Sequence, residues 1–322
     1  MKYKKLGTTD IETSVIGLGT WAMGGWMWGG GNDKDSVAAI HSALDSGVNL
    51  IDTAPAYGLG RSEEIVGEAI KGRRDKVVIA TKCGLVWHTD KGNHFFDEEG
   101  KPVHRYLGAD SIRYELEQSL KRLGTDYIDL YITHWQDPTT PVSETMAILE
   151  ELKKEGKIRA IGISNVNKEE MSEYLESGTL DSIQEKYSML DREIESGLLP
   201  LSEQNNVSIL SYSPLAQGLL TGKIDPERTF SGDDQRIEDP RFSQENRQKI
   251  AAMLSKMKPV ADQHNITLGQ LVIAWTVSQS SQMFALCGAR NPVQAKENAA
   301  AGAVSLTNSE LDQVSSALAA YF

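Results

Sequence analysis

The sequence predicts an α/β chain folded as a (β/α)8 TIM barrel, with an N-terminal β-hairpin and an extra C-terminal helix. Three observations carry that expectation. Short β-branched runs alternate with amphipathic stretches along nearly the whole chain, the pattern repeats eight times, and most of the runs are apolar almost without a break, as strands buried on both faces are. In chain order, Tyr3-Lys4-Lys5-Leu6 and Ile11–Ser14 flank the turn Gly7-Thr8-Thr9-Asp10 and form a hairpin expected to close the barrel bottom. The first run, Val15–Trp21, leads to helix Lys34–Ser46, and the second, Asn49–Ala54, to Ser62–Lys71. Lys76–Lys82 precedes helix Asp110–Leu123, Tyr127–His134 precedes Ser143–Glu155, and Ile158–Asn165 precedes Lys168–Glu176. Ser182–Ser188 is followed by Ile194–Gln204, Val207–Pro214 by Asn246–His264, and Gln282–Ala289 closes the set before the extra helix Asn308–Tyr321. Several of these helices open with a Ser or Asp N-cap. The alternative is an open sheet with a second domain, and the number of buried runs favours closure.

The chain has 322 residues. A barrel of roughly 250 residues with insertions accommodates that length, so 1–322 is expected to be a single domain. Hydrophobic residues at 40% and charged residues at 24% are ordinary for a globular chain and exclude disorder as the main theme. The net charge is 33 − 45 = −12, which argues against nucleic acid, because phosphate binding draws on a basic face. The longest apolar run, Leu271–Trp275, is far too short for a bilayer, and no apolar segment follows Met1-Lys2-Tyr3-Lys4-Lys5, so neither membrane nor export is expected. Cys83 and Cys287 are too few for a disulfide framework and agree with a cytoplasmic location.

In this fold, sites lie at the C-terminal ends of the strands. Those ends are polar: Thr20-Trp21, Asp52-Thr53, Thr81-Lys82, Thr133-His134, Ser164-Asn165, Glu185-Lys186-Tyr187 and Tyr212-Ser213. Trp21, Trp26, Trp28, Trp87 and Trp135 sit at strand ends or in the following loops, which predicts an aromatic-lined mouth. Asp52 ends the second strand, Tyr57 follows in its loop, Lys82 ends the third strand and His134 the fourth, so the four groups can converge. A nearby ammonium lowers the pKa of a phenol, a carboxylate can hold that ammonium charged and oriented, and an imidazole can polarise a carbonyl oxygen. Taken singly, Tyr57 reads more often as an exposed loop aromatic, and Lys82 with Asp52 can be a plain ion pair.

The chain resembles the aldo-keto reductases over essentially its whole length. The resemblance rests on Val15-Ile16-Gly17-Leu18-Gly19-Thr20, Asp52-Thr53-Ala54, Tyr57-Gly58, Arg61-Ser62-Glu63, Ala80-Thr81-Lys82 and Leu123-Gly124-Thr125-Asp126-Tyr127-Ile128-Asp129. It continues through Gly156-Lys157-Ile158-Arg159-Ala160-Ile161-Gly162-Ile163-Ser164-Asn165, Tyr212-Ser213-Pro214-Leu215 and Gly218-Leu219-Leu220-Thr221-Gly222-Lys223. It is most similar to the bacterial branch that includes inositol-operon reductases and is related to potassium-channel β subunits. What the resemblance implies is an NADP(H)-dependent oxidoreductase passing hydride between nicotinamide and a carbonyl or alcohol carbon of an aldehyde, ketone or sugar. Asp52, Tyr57, Lys82 and His134 match the family's catalytic tetrad, with Tyr57 as general acid in reduction and base in oxidation. A cofactor-sensing interaction protein like the channel β subunits, or an NAD-dependent sugar or polyol dehydrogenase, is the alternative.

The same resemblance implies the cofactor contacts. Thr20 and Trp21 lie at the end of the first strand. Ser164, Asn165 and Gln184 match positions that bind the nicotinamide carboxamide, and Tyr212 matches the ring stacked on the nicotinamide. Ser213, Pro214, Leu215, Gln217, Gly218 and Lys223 match the loop covering the pyrophosphate, and Gly288, Arg290, Gln294, Glu297 and Asn298 the adenosine end. Much of the family carries Lys and Arg where this chain has Gly288 and Gln294. Arg290 is then the candidate for a 2′-phosphate, NADPH/NADP+ is the expected cofactor, and NADH remains possible. Trp21, Trp87 and Trp135 are expected to line the substrate pocket, with specificity also set by loop Trp21–Asp33, loop Cys83–Tyr106 and Gln136-Asp137. No metal is expected, because His88, His94 and His104 match no zinc spacing. Asp233-Asp234 and Glu238-Asp239 read as a solvated loop face. An acidic chain must hold a polyanionic cofactor through placed contacts such as Lys223, Arg290 and backbone amides, since its global field cannot supply the attraction. Oligomeric state is not legible in the sequence.

Overall fold

The computed structural model describes residues 1–28, 30–225 and 227–321. The chain opens with β1 (Tyr3–Lys5) and β2 (Glu12–Ser14), paired antiparallel with Lys5 opposite Glu12. Then follow β3 (Ile16–Gly19), α1 (Asp33–Asp45), β4 (Leu50–Asp52), α2 (Arg61–Ala69) and β5 (Val78–Cys83). After these come β6 (Leu85–Val86), β7 (Asn93–Glu98), β8 (Lys101–Arg105), α3 (Ala109–Leu123), β9 (Ile128–Thr133), α4 (Val142–Lys154) and β10 (Ile158–Ser164). The remainder comprises α5 (Lys168–Ser177), β11 (Ser182–Lys186), α6 (Leu198–Asn205), β12 (Ser208–Tyr212), α7 (Gln244–Gln263), α8 (Leu268–Ser278), β13 (Met283–Gly288), α9 (Pro292–Ala300) and α10 (Asn308–Ala319). Among the described residues, eight parallel strands close a barrel in the order β3, β4, β5, β9, β10, β11, β12, β13, with β13 returning to β3. Each lies within one of the eight runs expected from the sequence, apart from an extra residue at the end of β5.

Alternation along each strand divides the core. Leu50, Ala80, Leu130, Ile132, Ala160, Leu210 and Phe284 fill the barrel interior, joined by Leu6 and Ile11, which flank the N-terminal turn and plug the bottom. The intervening Ile51, Ile79, Tyr131, Ile161, Ile183 and Ile209 belong to the outer core beneath the helices. The same parity continues to the strand ends. Two residues beyond Leu50 stands Asp52, beyond Ala80 Lys82, beyond Ile132 His134, and beyond Leu210 Tyr212. The polar side chains expected at the site therefore form the top layer of a largely apolar interior.

Three parts of the fold differ from the sequence expectation. The helix expected over Asn246–His264 is α7, but it packs against α10, while α8 is the helix that adjoins β13. Leu271–Thr276 of α8 are all buried, so the helix has no polar face and no helical period to detect, although Thr267 and Gln270 form a capping box at its start. The helix expected over Ile194–Gln204 is a 3-10 turn, Glu193–Ser196, followed by α6, because Pro200 has no N–H and fits only in a first helical turn. The long loop after β5 contains a three-stranded antiparallel sheet, β6-β8-β7. Its β7–β8 turn is Glu99-Gly100, both at positive φ (51° and 73°), the two-residue geometry that suits hairpin twist. Among the described residues, no helix is long and apolar enough to cross a membrane.

Candidate active site

Lys82 is wholly buried at the end of β5 and its ammonium has four oxygen contacts. Nζ donates to Asp52 Oδ1 at 2.9 Å and Oδ2 at 3.1 Å, to the Thr53 carbonyl at 2.8 Å and to the Tyr57 hydroxyl at 3.1 Å. Asp52 also accepts from Gln184 Nε2 at 2.7 Å across the barrel. The Tyr57 and His134 rings meet edge to face with centroids 5.8 Å apart. The four residues expected to converge are thus brought together, with the phenol and imidazole half-buried towards the mouth. Tyr57 is fixed by a close backbone approach. A Cβ on Gly58, at φ = 70°, would lie 2.4 Å from the Gly24 carbonyl oxygen, and one on Gly24 would meet the Tyr57 carbonyl at 2.6 Å. Only glycine at both positions lets these two loops touch.

The aromatic mouth has two parts. Trp21 stacks on Tyr57 with centroids 6.2 Å apart and meets Trp28 edge-on at 5.5 Å. Trp87, Trp135 and Phe96 pack round Ala56, Leu85 and Val103, and Trp26 stacks on Phe96 at 5.2 Å, so the β6–β8 sheet forms one wall. His88, His94 and His104 lie apart from the tetrad: His88 packs on Tyr114 at 4.3 Å, and His94 pairs with Asp97 at 3.3 Å.

Residues 15–319 match the Aldo/keto reductase family. The chain belongs to that family. It is 46% identical over 316 residues to the NADH-specific methylglyoxal reductase of Escherichia coli strain K12, covering 96% of each chain. The glycerol dehydrogenase of Gluconobacter oxydans shares its fold with a TM-score of 0.89 at 40% identity, over 98% of this chain and 95% of that one. An aldo/keto reductase from Klebsiella pneumoniae, solved with NADP and acetate, matches with a TM-score of 0.73 at 31% identity, over 95% of this chain and 91% of that one. The protein is therefore an oxidoreductase of a family that uses nicotinamide cofactors.

The residues of this reductase expected at the cofactor are disposed in two groups that fit such a ligand. In the first, Ser164 Oγ donates to the Gln184 carbonyl at 2.7 Å, Asn165 Nδ2 to the His134 carbonyl at 2.8 Å, and the Tyr212 hydroxyl to Asn165 Oδ1 at 2.8 Å. This places amide, hydroxyl and phenol groups beside the tetrad. In the second, Ser213, Ala216, Gln217 and Gly218 all adopt positive φ, and the loop after β12 folds into a tight turn in which the Ala216 and Gly218 N–H groups donate to the Ser213 and Leu215 carbonyls at 2.8 and 2.9 Å. Buried polar atoms without partners also cluster there, Trp28 Nε1, Gln217 Oε1 and Gln235 Nε2. Lys223 pairs with Glu297 at 2.5 Å, and Thr267 donates to the same carboxylate at 3.0 Å. Arg290 is exposed and donates to the Trp28 carbonyl at 3.0 Å, while Gln294 Oε1 accepts the Arg290 N–H at 2.9 Å. Asn298 Nδ2 holds the Gly288 carbonyl at 3.0 Å, and a Cβ on Gly288 would meet nothing nearer than 3.9 Å. Leu215 starts the 3-10 turn that carries Gln217, and Pro214 is buried before it. Thr20 does not face the mouth: its buried hydroxyl donates to the Asp52 carbonyl at 2.8 Å.

Two expectations are corrected. The acidic loop is not simply a solvated face, because Asp234 is buried and grips Arg236 at 2.6 Å. That guanidinium lies 5.4 Å from the Trp28 ring, and Gln235 N donates to the Met27 carbonyl at 3.2 Å, so the loop after β12 fastens onto the loop after β3. Nothing in the local sequence around Arg236 signals that long-range contact. The second correction concerns Tyr57. Its pKa is raised, because burial outweighs the pull of the Lys82 charge. Burial, reinforced by that same charge, drives His134 well below the usual imidazole range. Burial alone would lower Lys82, but Asp52 and Tyr57 hold it above its ordinary value. At neutral pH the site therefore holds a neutral phenol, a neutral imidazole and a charged ammonium.

Proposed function

We propose that this aldo-keto reductase reduces short, oxygen-rich aldehydes and ketones, using NADPH with Tyr57 as the proton donor. The observation that carries the reading is the buried Lys82 ammonium bridging the Asp52 carboxylate and the Tyr57 hydroxyl. When bound, the nicotinamide supplies hydride to the carbonyl carbon. Tyr57 gives its proton to the carbonyl oxygen as negative charge grows there, Lys82 compensates the resulting phenolate, and Asp52 keeps Lys82 oriented. His134, neutral, can donate one ring N–H to the same oxygen. The small substrates named for two relatives, methylglyoxal and glycerol, support a short polar substrate. The buried thiols of Cys83 and Cys287 suit a cytoplasmic setting.

The pKa directions set a pH signature. Reduction needs the protonated phenol, which persists across the neutral range, so its rate is expected to show no inflection near the ordinary histidine pKa of about 6.5. Alcohol oxidation needs the phenolate and is expected to climb steadily through alkaline pH. Initial rates in both directions from pH 6 to 10 (about the phenol pKa) check this, and an oxidation plateau below about pH 8 would contradict the role given to Tyr57.

Cofactor choice is tested by fluorescence titration with NADPH and NADH, followed by turnover of methylglyoxal, glyceraldehyde, aldoses and aromatic aldehydes. Arg290→Ala is expected to weaken NADPH by about ten- to a hundredfold and leave NADH unchanged, if Arg290 holds the 2′-phosphate. The second reading, NADH preference, is favoured by the neutral Gly288 and Gln294 and by the NADH-specific relative. Wild-type protein binding NADH at least as tightly as NADPH would establish that reading instead. Cofactor binding without turnover of any carbonyl would point to a sensing protein.

A further inference from the structure

The turn after β10 has a conformation that needs holding. Asn165 sits at φ = 56°, in the left-handed region that residues with a Cβ rarely adopt. Its side chain spans three strand ends: Nδ2 donates to the His134 carbonyl at 2.8 Å and to Ser164 Oγ at 3.0 Å, and Oδ1 accepts the Tyr212 hydroxyl at 2.8 Å. A small rotation of this backbone would move all three contacts. The next residue supplies the restraint, because the Val166 N–H donates to Glu185 Oε1 at 3.0 Å. Glu185 is 6% exposed, near the end of β11. Gln184 beside it points into the barrel to reach Asp52, so by alternation Glu185 points outwards, behind the turn rather than into the mouth. Burial pushes its carboxyl up to about 8, against the pull of the Val166 and Asn165 amides. At neutral pH it is an uncharged acceptor, and a buried carboxyl is kept at a cost unless its bonds matter.

We propose that Glu185 is a positioning residue for the nicotinamide end of the cofactor, holding the left-handed Asn165 turn through the Val166 N–H and thereby setting the Tyr212 ring. It touches neither substrate nor cofactor. The inference rests on the proposed assignment of Ser164, Asn165, Gln184 and Tyr212 to the nicotinamide.

Glu185→Ala leaves the Val166 N–H without its acceptor and is expected to weaken NADPH by about tenfold. Affinity for 2′,5′-ADP, which carries the adenosine end alone, should not change. Glu185→Gln keeps a neutral acceptor oxygen at the same place and is expected to restore wild-type NADPH binding. Asn165→Ala, measured alongside, should reproduce the Glu185→Ala loss. If Glu185→Ala weakens both ligands equally, or neither, or if Glu185→Gln is as weak as Glu185→Ala, the positioning role is overturned while the nicotinamide assignment stands. If Asn165→Ala binds NADPH as wild type does, the assignment itself fails and takes the inference with it. Should Glu185→Ala not fold, Glu185→Asp, one methylene short of Val166, gives the same comparison and is expected to lose NADPH affinity selectively.

Discussion

Tyr57→Phe is expected to lower carbonyl reduction by about three orders of magnitude while leaving cofactor affinity and thermal stability close to wild type. The substitution removes one oxygen and keeps everything that positions the ring. The Trp21 stack at 6.2 Å and the Gly24–Gly58 contact remain, and Lys82 still has both Asp52 oxygens and the Thr53 carbonyl within 3.1 Å. What disappears is, among the described residues, the one hydroxyl in contact with the ammonium, so the growing alkoxide loses the proton donor whose conjugate base Lys82 can stabilise. Stopped-time assays of NADPH oxidation with methylglyoxal, run beside a fluorescence titration of NADPH, separate the two effects. Activity within tenfold of wild type would mean that the proton comes from elsewhere, with His134, 5.8 Å away across the rings, the first group to examine.

The positions of Asp52, Lys82 and His134 were legible in the sequence because each stands at or just past the end of a strand, on its inward face. Asp52 follows Leu50, Lys82 follows Ala80 and His134 follows Ile132 at the spacing of two that puts them on one face, so a period and a strand order suffice to bring them near one another. Their ionisation was not legible. The sequence shows that Lys82 can reach Tyr57 and so lower the phenol pKa, but the opposing effect is the depth at which Tyr57 sits, and depth is a property of the assembled loops. A similar limit applies to elements without a period. Helix α8 is buried on every side and carries no polar stripe, and the strands of the β7–β8 hairpin do not alternate cleanly, so Glu99-Gly100 at its turn is the one local signal it offers. Arg236 could not have been anticipated, since its packing on Trp28 joins loops far apart in the chain through contacts that depend on both being folded.

Removing the carboxylate beneath the ammonium is expected to cost more stability than any other single change at the site. Asp52→Ala leaves Lys82, with no exposed surface, facing only a carbonyl and a phenol, and also strips Gln184 Nε2 of its acceptor. An unpaired buried charge of this kind is destabilising by about 3–5 kcal/mol, well beyond the value of a surface ion pair. The pH dependence should change with it. In the wild type Lys82 is held above its ordinary pKa, so its contribution is fully present below the unfolded value and is lost only as pH rises through the raised folded value. Without Asp52 the burial contribution opposes the charge, the folded pKa falls, and the unfolded chain then binds more protons between that lowered pKa and the ordinary lysine value. Stability of Asp52→Ala should therefore increase with pH through the alkaline range where the wild type is level. Urea denaturation at a series of pH values reads both effects. A variant within about 1 kcal/mol of wild type at neutral pH, with no alkaline recovery, would show that Lys82 is satisfied by Thr53 and Tyr57 alone, and that Asp52 is not what keeps the ammonium charged.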